Sequence, residues 1–199
     1  LTLADSHGQR IYRRSICFLL AKTIREIFPS AHFSVEHSLG NGFYCSFELN
    51  GGEGSHPGIS KGQLDAIEKR MRELAAKNIP IERRKISFTD AMKQFEAEKQ
   101  MDKYNLLRFR NPPKIVVFWC DGFTDLGHGP LAENTSSLAY FKLIPYPPGF
   151  VIQFPERENP EKMARFEPQP QLFNIFKEHK EWGRILGVST VGRLNEIIA

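Results

Sequence analysis

The chain has 199 residues and a formal net charge of +4, a length that fits one large domain, or one domain with a small extension. Hydrophobic content of 41% and charged content of 25% are those of a soluble globular protein, and no apolar run approaches the ~20 residues a membrane-spanning helix needs. The slight basic excess permits a nucleic-acid partner without demanding one. Three widely spaced cysteines argue against a disulfide framework and for a reducing, cytoplasmic setting.

In chain order, Leu1–Gln9 reads as an extended lead-in. A helix follows over about Arg10–Phe28, where Ile11, Ile16, Leu19, Leu20, Ile24 and Ile27 recur at helical spacing until Pro29 stops it. Its apolar stripe is wide, as for a central helix covered on more than one side. Two strands are expected at His32–Leu39 and Gly42–Leu49, the second with Phe43, Cys45, Phe47 and Leu49 inward, joined by the Gly40-Asn41-Gly42 turn. Asn50–Gly58 reads as a mobile glycine-rich loop. Ser60 with Gln63 forms a capping box opening a second helix over about Gln63–Lys77, with Leu64, Ile67, Met71 and Leu74 on one face. A short strand over Ile79–Ser87 carries Arg83-Arg84-Lys85, a solvated face that would otherwise contact RNA phosphates. Ser87 and Asp90 start a third helix reaching about Lys99, and Met101–Pro113 reads as irregular.

Strand Ile115–Cys120 then leads through an Asp121-Gly122 turn into a loop, Gly122–Leu131, whose glycines and Pro130 force a tight backbone that presents side chains. Strands at Tyr140–Ile144 and Phe150–Phe154 flank a break at Pro145-Tyr146-Pro147-Pro148-Gly149. The chain is proline-rich beyond Pro155, with a short helix near Leu172–Trp182 and a capped helix start at Ser189. The first residue is not Met, and Ile197-Ile198-Ala199 stands inside a helix-like pattern, so a fragment of a longer protein is expected. The predicted fold is α+β: an antiparallel sheet wrapped around a central helix over residues 1–155, then a proline-rich and helical connector over 156–199.

Several stretches resemble the second additional domain of threonyl-tRNA synthetases. They are Ile11-Tyr12-Arg13-Arg14-Ser15 at a helix start, Asn41-Gly42-Phe43-Tyr44, Ala66-Ile67-Glu68-Lys69-Arg70-Met71, and Asp125-Leu126 before Gly129-Pro130. Their order and spacing match across about Arg10–Ile152. The resemblance implies a domain that hydrolyses serine wrongly attached to threonine tRNA, using a His-x-x-x-His pair and a Cys-x-x-x-His pair. Related alanine-tRNA editing domains hold zinc with such a set, which suits tetrahedral zinc. In this chain the four positions fall on Phe18, Lys22, Gly127 and Leu131. Phe, Gly and Leu offer no ligand atom, and a lysine at its ordinary pKa of ~10.4 is protonated. The carry-over therefore gives no catalytic residue, no metal site and no cofactor in this fragment.

A second resemblance joins Leu143-Ile144-Pro145-Tyr146-Pro147-Pro148-Gly149-Phe150, Trp182-Gly183-Arg184-Ile185-Leu186-Gly187-Val188-Ser189-Thr190-Val191-Gly192 and Glu36-His37-Ser38-Leu39-Gly40 to bacterial uridine-kinase-like proteins. In those a synthetase-type domain precedes a P-loop nucleoside kinase. This implies a kinase-like domain of the same chain as partner, using ATP and magnesium. No Gly-x-x-x-x-Gly-Lys-Ser/Thr occurs here, so this stretch cannot cradle ATP phosphates in that way.

The expected function is an accessory domain that binds a small-molecule ligand or regulates the kinase. Lys22, at the rim of the old pocket, His37, Asp125 and His128 are its candidate ligand-binding residues. The rival readings are an aminoacyl-tRNA deacylase with a rearranged, metal-free site and a tRNA-binding module. Cys17 and Cys45 read as core residues.

Overall fold

The computed structural model describes residues 2–49, 58–110, 112–157, 159, 161–163 and 165–187. The chain divides into two compact units, Leu1–Ala164 and Arg165–Ala199.

The first unit opens with α1 (Ser6–Ile27), whose buried face includes Tyr12, Ile16, Leu19, Leu20 and Ile24. Strands β1 (Ala31–Leu39) and β2 (Gly42–Leu49) form an antiparallel hairpin closed at Leu39↔Gly42, with its register shifted between Val35 and His37. Then come α2 (Lys61–Ala76), β3 (Glu82–Ser87), α3 (Phe88–Ala97), α4 (Met101–Leu107), β4 (Lys114–Cys120), β5 (Phe123–Leu126), β6 (Lys142–Tyr146) and β7 (Gly149–Gln153). The antiparallel strands fall into two sheets, ordered β1-β2-β7-β6 and β3-β4-β5. The fold is thus mixed α/β with antiparallel sheets. No described helix is long and apolar enough to cross a membrane.

Local chemistry sets the helix starts. Ser60 Oγ accepts from the Gln63 backbone N–H at 3.2 Å while Gln63 Oε1 accepts from the Ser60 N–H at 2.8 Å, a complete capping box. Ser87 Oγ accepts from the Asp90 N–H at 3.1 Å and opens α3 in the same way.

β4 is the hinge of the packing. Phe118 and Cys120 face the main core, built on Ile16, Leu19, Leu20, Ile67, Met71 and Phe150. Ile115 and Val117 face a second cluster with Ala91, Phe95 and Leu107 from α3 and α4. A strand buried on both sides must be apolar at every position, which is why Ile115–Cys120 reads as an unbroken run. The Asp121-Gly122 turn has positive φ at both residues, +45° and +81°, the requirement of a type I′ hairpin.

Several elements depart from the sequence reading. The stretch from Met101 is not irregular: its first seven residues form α4, which buries only Leu107 and so shows little periodicity. The glycine loop is shorter than expected, because Phe123–Leu126 pair with Val117–Cys120 as β5. The third strand starts at Glu82, Pro80 making only an isolated bridge to Asn134. Pro145 and Tyr146 do not break the sheet but pair with Phe150 and Gly149. In β2, Cys45 and Phe47 are buried as expected, but Leu49 is exposed and Tyr44 buried, because β7 covers only Gly42–Cys45. Most of the Asn50–Gly58 loop and the helix start at Ser189 lie outside the described residues. The second unit holds α5 (Pro170–Ile185).

Tyr12 fastens α1 to the segment entering β6. Its buried hydroxyl donates to the Tyr140 carbonyl at 2.6 Å and accepts from the Tyr140 N–H at 2.9 Å. Tyr12→Phe orphans both backbone groups and is expected to lower the unfolding free energy by about 1–2 kcal/mol. Urea denaturation at constant m-value checks this.

Candidate functional site

Arg14, Phe18 and Lys22 stand at i, i+4 and i+8 and so share one face of α1. The β4–β5 hairpin and the loop after it dock on this helix. Ser15 Oγ accepts from the Ala132 N–H at 2.7 Å and donates to the Ile11 carbonyl at 2.7 Å. Arg14 lays its guanidinium across Gly129, whose positive φ of +149° favours glycine. The Gly127 N–H donates to the Val116 carbonyl at 2.9 Å, extending the β5 pairing by one residue.

This docking holds the four positions singled out in the sequence. Phe18 is buried and packs on Phe123, ring centroids 5.3 Å apart. At Gly127 a Cβ would come within 2.8 Å of Val116 Cγ1 and 3.0 Å of Phe118 Cε2, so the space of a side chain is already filled. Leu131 packs against the main core. Lys22 is not at a rim: it is 1% exposed. Its ammonium lies 2.5 Å from Glu26 Oε1, donates to the Asp121 carbonyl at 3.0 Å and lies 3.8 Å from Asp121 Oδ2. Arg70 of α2 binds the other oxygen of Glu26 at 3.0 Å. Burial pushes the Glu26 carboxyl up, but the hydrogen bonds from Lys22 and Arg70 outweigh it and hold the group below its ordinary 4.5.

Of the other candidates, Asp125 is tied down. Its Oδ1 lies 2.8 Å from Lys103 Nζ and accepts from the Leu126 N–H at 2.6 Å. Lys103 was not legible in the sequence, since nothing local links it to a residue 22 positions later. His128 is exposed on the loop. His37 belongs to the other sheet, where its ring stacks on Tyr44 at 5.2 Å. The structure thus joins Lys22 to the β4–β5 turn and Asp125 to α4, and sets His37 in a separate aromatic cluster. Burial pushes the Cys17 thiol up to about 12 and Cys120 to about 11, so neither offers a thiolate at neutral pH. Among the described residues no three His, Cys, Asp or Glu side chains form a metal-binding group.

No family model matches the chain. Curated threonine–tRNA ligases do. Those of Francisella tularensis subsp. novicida (strain U112) and subsp. holarctica (strain OSU18) are each 32% identical to it over 143 residues, 72% of this chain and 22% of the ligase. That similarity makes the matched stretch a domain related to part of a threonine–tRNA ligase. The chain spans about a fifth of the length of the curated relatives it matches.

The Glu26 shift fixes a pH dependence. A carboxyl depressed in the fold contributes stability above its ordinary value of 4.5, and that contribution disappears as pH falls through the lower folded value. Glu26→Gln is therefore expected to be about 1–2 kcal/mol less stable than the parent at pH 7. The gap should narrow as pH falls below 4.5 and through the lower folded value. Paired urea melts at pH 7 and in acid test this; an undiminished gap in acid would show that the ionised carboxylate is not its source.

Proposed function

We propose that this chain is an editing-type domain that has lost hydrolysis and serves as an accessory, ligand-binding or regulatory domain of a larger cytoplasmic protein. The observation that carries this reading is how the four positions are filled. Phe18 packs at a tilt on Phe123, the side-chain space at Gly127 holds Val116 and Phe118, and Leu131 packs, half-buried, against the core. Lys22 spends its charge on Glu26 and Asp121. A general base or a metal-bound water needs a donor atom facing a reacting ester, and hydrocarbon in these places supplies none.

The rest of the parent protein is read as a bacterial nucleoside kinase of uridine-kinase type. Support comes from the Leu143–Phe150 and Trp182–Gly192 segments that resemble such fusions. The kinase-like domain is the partner of this one, and it would use ATP and magnesium. Of the four residues expected to face a small ligand, His128 is the one exposed on the loop; Lys22 is buried and acts through the backbone it anchors, Asp125 is held by Lys103, and His37 lies in the other sheet. A tRNA partner is not favoured.

Two assays on the full-length protein decide the matter. Seryl-tRNA specific for threonine should lose its ester no faster than in buffer, whereas turnover abolished by His128→Ala would establish a rearranged deacylase. With ATP and magnesium, the full-length protein should phosphorylate uridine; a threonine-dependent aminoacylation activity instead would overturn the kinase assignment.

A further inference from the structure

We propose that the cleft bounded by α1, β1 and the start of α4 binds a small organic anion. Its carboxylate or phosphate would rest on Arg25 and its flat apolar body against Phe33 and Phe123. The proposal rests on the accessory-domain reading and names the class of ligand such a domain would sense.

The cleft encloses about 240 Å³. That lies just under the roughly 300 Å³ at which pockets for drug-sized ligands begin, so it suits a metabolite and not a polymer. Two aromatic rings contribute to its wall, and both are held. Phe123 is braced from behind by Phe18, and Phe33 stacks on Phe150 with ring centroids 6.4 Å apart. Ala21, Ile24 and Ala31 add hydrocarbon between them.

The charge in this cleft is unbalanced. Arg25 is half-buried, and its guanidinium donates to the Pro29 carbonyl at 3.3 Å and to the Glu98 carbonyl. Both partners are neutral backbone oxygens, and among the described residues no carboxylate lies within ion-pair distance of this group. Two bonds leave the remaining donors of a rigid fork for an acceptor in the cleft, and a fork of this shape matches the paired oxygens of carboxylate or phosphate. Lys99 adds a second positive charge to the lining, whereas Lys103 is neutralised by Asp125 at 2.8 Å. Asp102 is the one carboxylate that lines the cleft. Among the lining residues, with Lys103 and Asp125 cancelling, Arg25 and Lys99 outweigh Asp102, while the Glu98 carboxylate, outside the lining, is held by the Gln94 and Gln100 amides; the lining itself therefore favours an anion.

The test is isothermal titration of the chain with three probes that share one ring: phenyl phosphate, benzoate and neutral benzyl alcohol. At least one anion should bind with a dissociation constant of about 1 mM or tighter, and benzyl alcohol about tenfold or more weakly, a gap of about 1.4 kcal/mol. Tighter phenyl phosphate assigns a phosphate ester as the natural class; tighter benzoate assigns a carboxylate. Arg25→Gln should weaken the anion by about tenfold, and Lys99→Gln, at an exposed position, by about two- to threefold. If Arg25→Gln fails to fold by circular dichroism, Lys99→Gln and the neutral probe carry the decision. No heat from either anion at about 10 mM, equal affinity for benzyl alcohol, or affinity unchanged in the folded variants overturns the proposal. A chain that hydrolyses seryl-tRNA yet binds these anions overturns the accessory reading alone. A silent titration without hydrolysis overturns this proposal alone.

Discussion

An ammonium group that is 1% exposed must be hydrogen-bonded and neutralised where it sits, because an isolated charge in a protein interior is too costly to keep. The way Lys22 meets that requirement organises the first unit. Glu26 supplies the counter-charge one turn along α1, Arg70 carries the network to α2, and the Asp121 carbonyl brings in the β4–β5 turn. Three elements distant in sequence are thereby held at one point. The hairpin turn has little freedom to drift, since Asp121 must hold positive φ while its carbonyl faces the lysine. Ser15 repeats the device two turns earlier with the Ala132 N–H, so the loop between is fixed at both ends.

Fixing the loop this way changes what the cleft can do. A catalytic loop needs groups pointing into an open space with unspent donor or acceptor capacity. Here the four positions that the resemblance singles out hold a packed aromatic pair, a lysine whose bonds are made, a glycine under two side chains and a half-buried leucine packed on the core. Three of them are apolar, and the fourth is a charge kept inside only by its partners. The relatives named threonine–tRNA ligase share enough sequence for the domain to be recognised, so retention of a domain and retention of its chemistry are separate questions in this chain.

Local features were legible in the sequence. The long helix, the Ser60-Gln63 capping box, the Asp121-Gly122 turn and the β1–β2 hairpin depend on residues a few positions apart; the last three stand where expected, and the helix does too at its C-terminal end, but it begins at Ser6, inside the stretch read as an extended lead-in. α4 and β5 were missed for opposite reasons. α4 buries one residue in seven, so no periodicity marks it. β5 is four residues beside glycines, and only its pairing with β4 makes it a strand. The site was legible to a smaller extent. That four positions lack donors follows from residue types once a resemblance aligns them, but what fills the space does not. The partners of Glu26 and Asp125, Arg70 and Lys103, lie 44 and 22 residues away in sequence, and such distances carry no pattern a single chain reveals. Arg25 is likewise unremarkable in sequence, because its partners are backbone carbonyls that any residue would provide.

The register shift in β1 has a further consequence. This nine-residue strand lies at the margin of the four-stranded sheet, bonded among the described strands to β2 on one side only. A long margin of that kind invites another polypeptide to add a strand. Between Val35 and His37 the ladder slips by one residue, placing Glu36 at the irregularity. A bulge bends and twists the strand locally, and a charged residue there would have to lose water if a flat partner strand lay alongside. The slip interrupts the ladder that an incoming strand would pair with, and it does so outside the hydrophobic core, because Val35 and Glu36 are both exposed.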